Sequence, residues 1–484
     1  MDAPWKMVTG VLAGVVVTAL ASCTTSPTSP STPLVPPALS AGLLPVKHTT
    51  WSMSTNEYDT HLVPLERTGF VNTRGELVVD PVYVKYDMCL GPDREVLVVA
   101  QTNDRVDVLD GGGTVLASQQ ARLIACGPLP GFVRLYHAGA DDAWVATLPD
   151  LAVSGLPLAP MAVAIDEDWV LMTLYGDDET WESREHVLVS RDGQRVAAAG
   201  GAWAWYFLAG PETMFSTGEW PAPASDDDTG QQGYLDQSGR WVAPPVFSSV
   251  RPFAAGFAAV STDDTHSYFV NTSLDKVGGD YGMVDPVFFR SGSFAHVMAY
   301  TVRLPGPPGA DDPPSGLLAP DLSVLADPAT SRTECRQSYD VPQAACLVVD
   351  ATGTWVITLP DGDKSGVAGE FTTVLSQHLV TTDDRTRVHN TATGVTFDIP
   401  APFHVVGWWW NPGGDAFVMC ESDNGLRMVV DATGAPTPFA TVETSTITPD
   451  GTVYFWVLTG DDQGWVDTTG TWLYKEPRYQ LTED

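Results

Sequence analysis

The stretch GYLDQSGRWVAPPVF, Gly233–Phe247, holds a complete turn whose mechanism can be read directly. Tyr234 and Leu235 lead into Asp236, Gln237, Ser238 and Gly239, and Arg240, Trp241 and Val242 lead out. An Asp opening such a turn accepts hydrogen bonds from the amides that follow, and a Gly closing it takes the positive φ of a type I turn with a bulge. Asp-x-x-Gly between apolar segments therefore predicts a hairpin. Pro244 and Pro245 come next; they lack amide donors and are expected to stop the ladder. The segments SSVRPF and GFAAV add two more short strands before the next copy begins, which makes four per unit, the content of one propeller blade.

The same turn recurs at Asn72, Asp110, Asp350, Asp431 and Asp467, with weaker copies at Asp150, Ser190, Asn271, Asp321 and Asn390. With Asp236 these are eleven markers spaced on average about 40 residues apart, a period that belongs to repeat architectures. The chain is rich in Gly (44) and Pro (38), and β-branched and aromatic runs alternate with turn clusters without any long helical periodicity. The expectation is an all-β chain: a β-propeller-like array of short antiparallel β-sheet repeats of about 40 residues. Eleven units exceed the usual range of roughly four to eight blades. The markers thus leave open one propeller with some markers in internal loops, two propellers, or an open superhelical array. The polar break LPGPPGADDPPSG, 304–316, is the place for an internal boundary, although a surface insertion is the commoner use of such a stretch.

These residues resemble the WG-repeat family, whose units run Trp-Gly, an aliphatic pair, Asp, a turn with Gly, a strand with Trp, a proline pair, then an aromatic and a Gly-x-Ala segment. Gly233–Val260 matches nearly throughout, and Gly69–Tyr83 and Gly464–Tyr479 match the first half. The departure is that Thr68, Gln232 and Gln463 stand where the family has Trp. The resemblance implies a binding or interaction module and brings no catalytic residues or ligand with it.

Lys6 precedes an apolar segment, Met7–Ala21, too short for a comfortable membrane span, and LASC follows at Leu20–Cys23. This resembles the bacterial lipobox. The resemblance implies a signal peptide over 1–22, cleavage before Cys23, diacylglycerol on its sulfur, and export to the extracytoplasmic face of the membrane. Residues 23–45, rich in Ser, Thr and Pro, read as a tether, and 46–484 as the repeat domain. The expected membrane contact is the lipid on Cys23.

The 484 residues are 44% hydrophobic, enough for a large core. Sixty acidic residues against 25 basic ones give a net charge of −35, so nucleic acid is excluded as a partner and an anionic surface repels the chain at long range. With six cysteines, Cys335 and Cys346 bracket a short loop and are the first disulfide expected of an exported protein. Cys89 and Cys126 occupy equivalent places in adjacent units, where pairing and apolar packing are both open, and Cys420 is left over. No cofactor motif is present: the sequence has no CxxC, HExxH, GxSxG, Walker loop or dinucleotide fingerprint. Asp361, Asp363 and Ser365 begin like a calcium loop. The twelfth position is Thr372, which cannot supply the bidentate carboxylate, so an acidic turn is the better reading. Trp408, Trp409 and Trp410, and the pair Trp203 and Trp205, are candidate binding aromatics if exposed and inter-blade packing if buried. The preferred reading is a lipid-anchored scaffold binding a protein or cell-wall polymer, without catalysis. The alternative is an envelope glycan-active enzyme on a propeller frame, which would need a carboxyl of raised pKa.

Overall fold

The computed structural model describes residues 41–477 apart from 56–59, 128, 138–142, 158–160, 176–183, 199–201, 204–216, 227, 264, 292–293, 307–313, 338–343, 370, 376–377, 410–416 and 449–451. Its 41 strands form eleven antiparallel sheets in which each strand pairs with its neighbour in sequence. Eight sheets have four strands and three have three. The sheets are the blades of an eleven-bladed β-propeller: blade 1 (43–83), 2 (85–119), 3 (121–147), 4 (161–197), 5 (202–247), 6 (249–281), 7 (283–326), 8 (332–367), 9 (373–398), 10 (403–430) and 11 (441–477).

Packing closes them into one ring. Within blade 2, Leu97 and Val99 pack on blade 3, while the intervening Val98 and Ala100 pack on blade 1. A strand buried on both faces must be apolar at every position, which is why the middle strands Val106–Leu109, Gln232–Leu235 and Val453–Leu458 are buried throughout. Such a core strip joins every consecutive pair of blades, and an equivalent one joins the last to the first: Tyr454, Trp456 and Trp465 against Leu44, Val46 and Val71. The Trp465 indole N–H also donates to the Pro45 carbonyl at 2.8 Å. One closed propeller therefore replaces the alternatives of two propellers or an open array.

The marker turns join the third strand to the fourth in blades 2, 4, 5, 6, 7, 9 and 11, join the last two described strands in blade 1, and follow the last described strand in blades 3 and 10. In blade 8 the marker Asp350 instead joins the second strand, Ala344–Asp350, to the third, Gly353–Leu359. The outer turn of that blade is at Asp361, between Gly353–Leu359 and Asp363–Val367. At Asp236 the carboxylate accepts from the amides of Ser238 (2.8 Å) and Arg240 (3.0 Å), and Gly239 has φ +73°. A Cβ on Gly239 would lie 2.4 Å from the Ala197 carbonyl of blade 4, and one on Gly75, Gly113 or Gly434 would likewise meet the blade before it, so at these turns the glycine is also where one blade tucks against its predecessor. In the weaker copies at Asn271 and Asp321, Leu274 and Leu322 hold the positive-φ place, at 67° and 65°. Both leucines pack on inter-blade core in exchange.

The proline expectation is corrected. The outer strand Trp241–Phe247 continues through Pro244 and Pro245, and Gln232 still pairs with Phe247 across two register shifts. The prolines are tolerated because the strand is an edge that bulges onto Gly233, where a Cβ would meet the Ala243 carbonyl at 2.4 Å. Gly69 and Gly316 face Pro81 and Pro328 in the same manner, which explains the Gly and Pro of the repeat as one device. The stretch around 304–316 links Phe294–Arg303 to Ser315–Leu318, adjacent strands of blade 7, so it is a connection within a blade and no domain boundary. Leu43–Pro45, assigned to the tether, open the first strand.

The first strands of blades 2 and 3, and those of 7, 8 and 9, run beside one another and so line the ring's axis. Aligned on Asn72, the three described strands of blade 1 correspond to the second, third and fourth of other blades. Blades 3 and 10 lack a full fourth strand among the described residues; the bridges Ala146–Val153 and Val430–Pro436 stand in for it.

Candidate functional site

The shortened edge of blade 10 creates a recess. Its outer turn, Asp431–Gly434, is followed by one bridge at Pro436 and then by a crossing, Thr437–Phe439, toward blade 11. The space a fourth strand would fill remains as a cleft of about 520 Å³, bounded by Asp431, Ala432 and Thr433 on one side and Thr468, Thr469 and Gly470 on the other. Volumes in this range suit a small ligand or a side-chain anchor of a larger one.

The floor is aromatic. Phe417 and Phe439 meet edge to face at 5.9 Å, and Phe417 meets Phe455 at 5.0 Å. Gly470 is required here twice over: its φ is +80°, and a Cβ would stand 3.2 Å from the Phe439 ring. The wall hydroxyls already donate to groups of their own turns and strands. Thr433 donates to Asp431 Oδ1 and Thr469 to Asp467 Oδ1, each at 2.7 Å, and Thr437 donates to the Val429 carbonyl at 2.9 Å. Hydroxyl oxygens committed in this way keep acceptor capacity, so the cleft suits a ligand rich in O–H or N–H donors with one apolar face.

Across the described residues, carboxylates displaced from their ordinary pKa move downward. Hydrogen bonds from turn residues hold Asp236, Asp321 and Asp384 below the usual range, and Asp350 further below it. The His266 ring and Thr265 bring Asp263 to about 2. These are anchored anions at blade turns, the opposite of a carboxyl readied as a general acid.

The positions singled out in the sequence do not converge. Cys23, Trp205 and Trp410 lie outside the described residues. Trp408 and Trp409 end the first strand of blade 10, in register with Val418 and Phe417, and only their backbone is described; the same holds for Trp203 in blade 5. Cys335 and Cys346 are cross-strand partners in blade 8 and form a disulfide. Cys89 and Cys126 form a second one between the axial strands of blades 2 and 3. Asp361 occupies the outer turn of blade 8, while Asp363 and Ser365 follow on the strand, paired with Thr358 and Val356. Alternate strand residues are about 6.6 Å apart, so the three extend along a hairpin and do not wrap an ion. The one grouping of His, Cys, Asp and Glu donor atoms among the described residues is Asp87, Cys89 and Cys126, whose two sulfurs are joined to each other. Cys420 is buried, and burial pushes its thiol up to about 11.

Sequence reasoning found the turns DATG and DTTG but not the cleft between them. The signal was the missing strand after Asp431, where APTPFA, Ala435–Ala440, offers no run long enough to pair.

No curated protein matches the chain. Among solved structures, a eukaryotic initiation factor is similar over 90% of this chain and 97% of its own, at 12% identity and a TM-score of 0.32. BamB from Moraxella catarrhalis covers 73% and 98% at 10% identity and 0.23, and the WD40 domain of SCAP from fission yeast 86% and 96% at 8% and 0.23. TM-scores this low carry no weight for fold or role, which rest on the sheets described above. The family model described as WG containing repeat matches residues 233–265, so the hairpin of blade 5 and the start of blade 6 are a WG-containing repeat.

Proposed function

We propose that the chain is a lipid-anchored, extracytoplasmic binding scaffold that holds a protein or cell-envelope polymer in the recess between blades 10 and 11. The observation that carries this reading is the recess itself: a cleft with an aromatic floor and hydroxyl walls, formed by two turns of a closed ring. Rigid blades fix its shape, and the downward-held carboxylates favour binding over general-acid chemistry. The lipobox residues Leu20–Cys23 support the anchor and the location.

The test is retention of envelope proteins and purified wall polysaccharide on the immobilised full chain, scored also for polysaccharide turnover. Thr469→Tyr and Thr433→Tyr, which fill the cleft, are expected to abolish saturable retention, with Trp409→Ala reporting on the axial tryptophans. Retention unchanged by both tyrosines would overturn the site. Turnover would overturn the scaffold reading in favour of the glycan-active enzyme.

A further inference from the structure

The axial strands of blades 2 and 3 bring three donor groups together, away from the recess at blade 10. Asp87 and Cys89 stand two residues apart on Lys85–Leu90 and so share one face of that strand, and Cys126 ends the neighbouring strand, Ala121–Cys126. A carboxylate oxygen of Asp87 and the two sulfurs lie within 4.8 Å of one another. Among the described residues no other grouping of three such donors occurs, so the second disulfide, Cys335–Cys346, has no third donor beside it.

The seam between these blades has ties other than the S–S bond. The Lys85 ammonium donates to the carbonyls of Leu123 (3.1 Å) and Ile124 (2.6 Å), the Leu123 amide donates to Gln101 (2.7 Å), and the Gly131 amide donates to the Leu90 carbonyl (2.7 Å). Leu97 and Val99 pack with Leu123, Val133 and Leu135 beneath them. Cutting the disulfide therefore leaves both strands in place. Asp87 is positioned by backbone alone: Oδ1 accepts from the Met88 amide at 2.9 Å and Oδ2 from the Cys126 amide at 3.1 Å, and each oxygen keeps a lone pair. The Met88 carbonyl stands 3.4 Å from the Cys126 sulfur, placed to accept from the S–H that reduction creates. Cys89 is buried, whereas Asp87 and Cys126 are half-buried, so solvent reaches the group from their side.

We propose that Asp87, Cys89 and Cys126 form a zinc site that the disulfide closes and a dithiol opens. A thiolate of a partner dithiol attacks the Cys126 sulfur, the S–S bond breaks and Cys89 leaves as the thiolate. The partner's second thiol then displaces Cys126, and the partner departs as a disulfide, so two electrons and two protons pass to this chain. Zinc takes both sulfurs as thiolates, and the two protons go to solvent. Two sulfurs at about 2.3 Å and one oxygen at about 2.0–2.2 Å fill three corners of a tetrahedron, with water at the fourth. The carboxylate selects the ion: a pair of thiolates alone suits monovalent copper as well, whereas a mixed sulfur and oxygen set suits zinc.

The test uses the full chain, reduced with dithiothreitol without denaturant, freed of it by gel filtration under argon and titrated with cobalt(II) as a coloured stand-in for zinc. Thiolate-to-cobalt absorption that saturates at one ion per chain and is displaced by zinc is expected. The oxidised chain, in which Cys23 and Cys420 are unchanged, is expected to show none. Asp87→Asn, which keeps both sulfurs, is expected to weaken cobalt binding by about tenfold or more. Cys335→Ser with Cys346→Ser is expected to leave it as it was. Alkylation and peptide mass score reduction at Cys89 and Cys126, and circular dichroism scores the fold. A bond that stays oxidised, a fold lost on reduction, a folded and reduced chain without the absorption, or binding unchanged by Asp87→Asn each overturns the proposal.

Discussion

At the scale of single residues, the repeat is decided by two glycines and one aspartate. The turn glycine is needed for its φ and, separately, for the blade behind it, and the two demands can be told apart. Gly256 has φ +83° with open space around it, whereas Gly239 has φ +73° with a neighbouring carbonyl 2.4 Å from where a Cβ would stand. Gly256→Ala is expected to cost about 1 kcal/mol and Gly239→Ala at least about 2 kcal/mol, read from urea unfolding of each variant. The turn carboxylates add a pH dependence whose sign follows from their shifts. A carboxylate lowered in the folded state contributes stability above its unfolded value and loses it as pH falls through the folded one. For Asp263 that window runs from 3.8 down to about 2. The thermal midpoint is therefore expected to fall as pH drops from 4 to 2, and Asp263→Asn is expected to flatten that slope; an unchanged slope rejects the assignment. The Cys420 thiol, raised by burial to about 11, contributes in the opposite direction and is lost only as pH rises through that value. It is expected to resist maleimide at pH 8 until the chain unfolds.

At the scale of the blade, the axial strand has an open edge, and polar side chains from the preceding blade serve it. Gln232 accepts from the Val250 amide at 2.8 Å, Gln101 from Leu123 at 2.7 Å and Ser315 from Thr333 at 2.8 Å. This accounts for the departure at Gln232: a residue where the family has Trp here satisfies a buried amide of the next blade. Gln232→Leu is expected to destabilise by about 1–3 kcal/mol because the Val250 amide would be left without a partner. A second polar contact lies between blades 1 and 2, where the buried Asp107 accepts from Tyr83 (3.0 Å) and Ser118 (2.5 Å) and pairs with Arg105. Tyr83→Phe is expected to cost about 1.5–3 kcal/mol, the range for a hydrogen bond to a charged group, and denaturant midpoints would measure it. The hairpins were legible because a turn is local chemistry. Which outer strands would be cut short, and so where the cleft would open, was not, because a lost strand changes no motif.

At the scale of the whole molecule, the seam between blades 11 and 1 closes the ring by side chains, since every described strand of blade 1 comes from the N-terminal side and every strand of blade 11 from the C-terminal side. Trp465→Phe removes the hydrogen bond to Pro45 while keeping the ring's bulk, and a faster limited proteolysis within blades 1 and 11 than elsewhere is the expected outcome. Repetition, the turn chemistry, the all-β class and a period of about 40 residues were determined by the sequence alone, since each depends on residues a few positions apart. The Cys335–Cys346 spacing was equally local. The count of eleven blades in one closed ring, the disulfide between blades 2 and 3, the continuation of the outer strand through Pro244 and Pro245 and the cleft at blade 10 were decided only by tertiary structure. Each depends on how one blade's faces meet the next, and closure depends on the angle accumulated over all eleven, a sum that no single repeat contains.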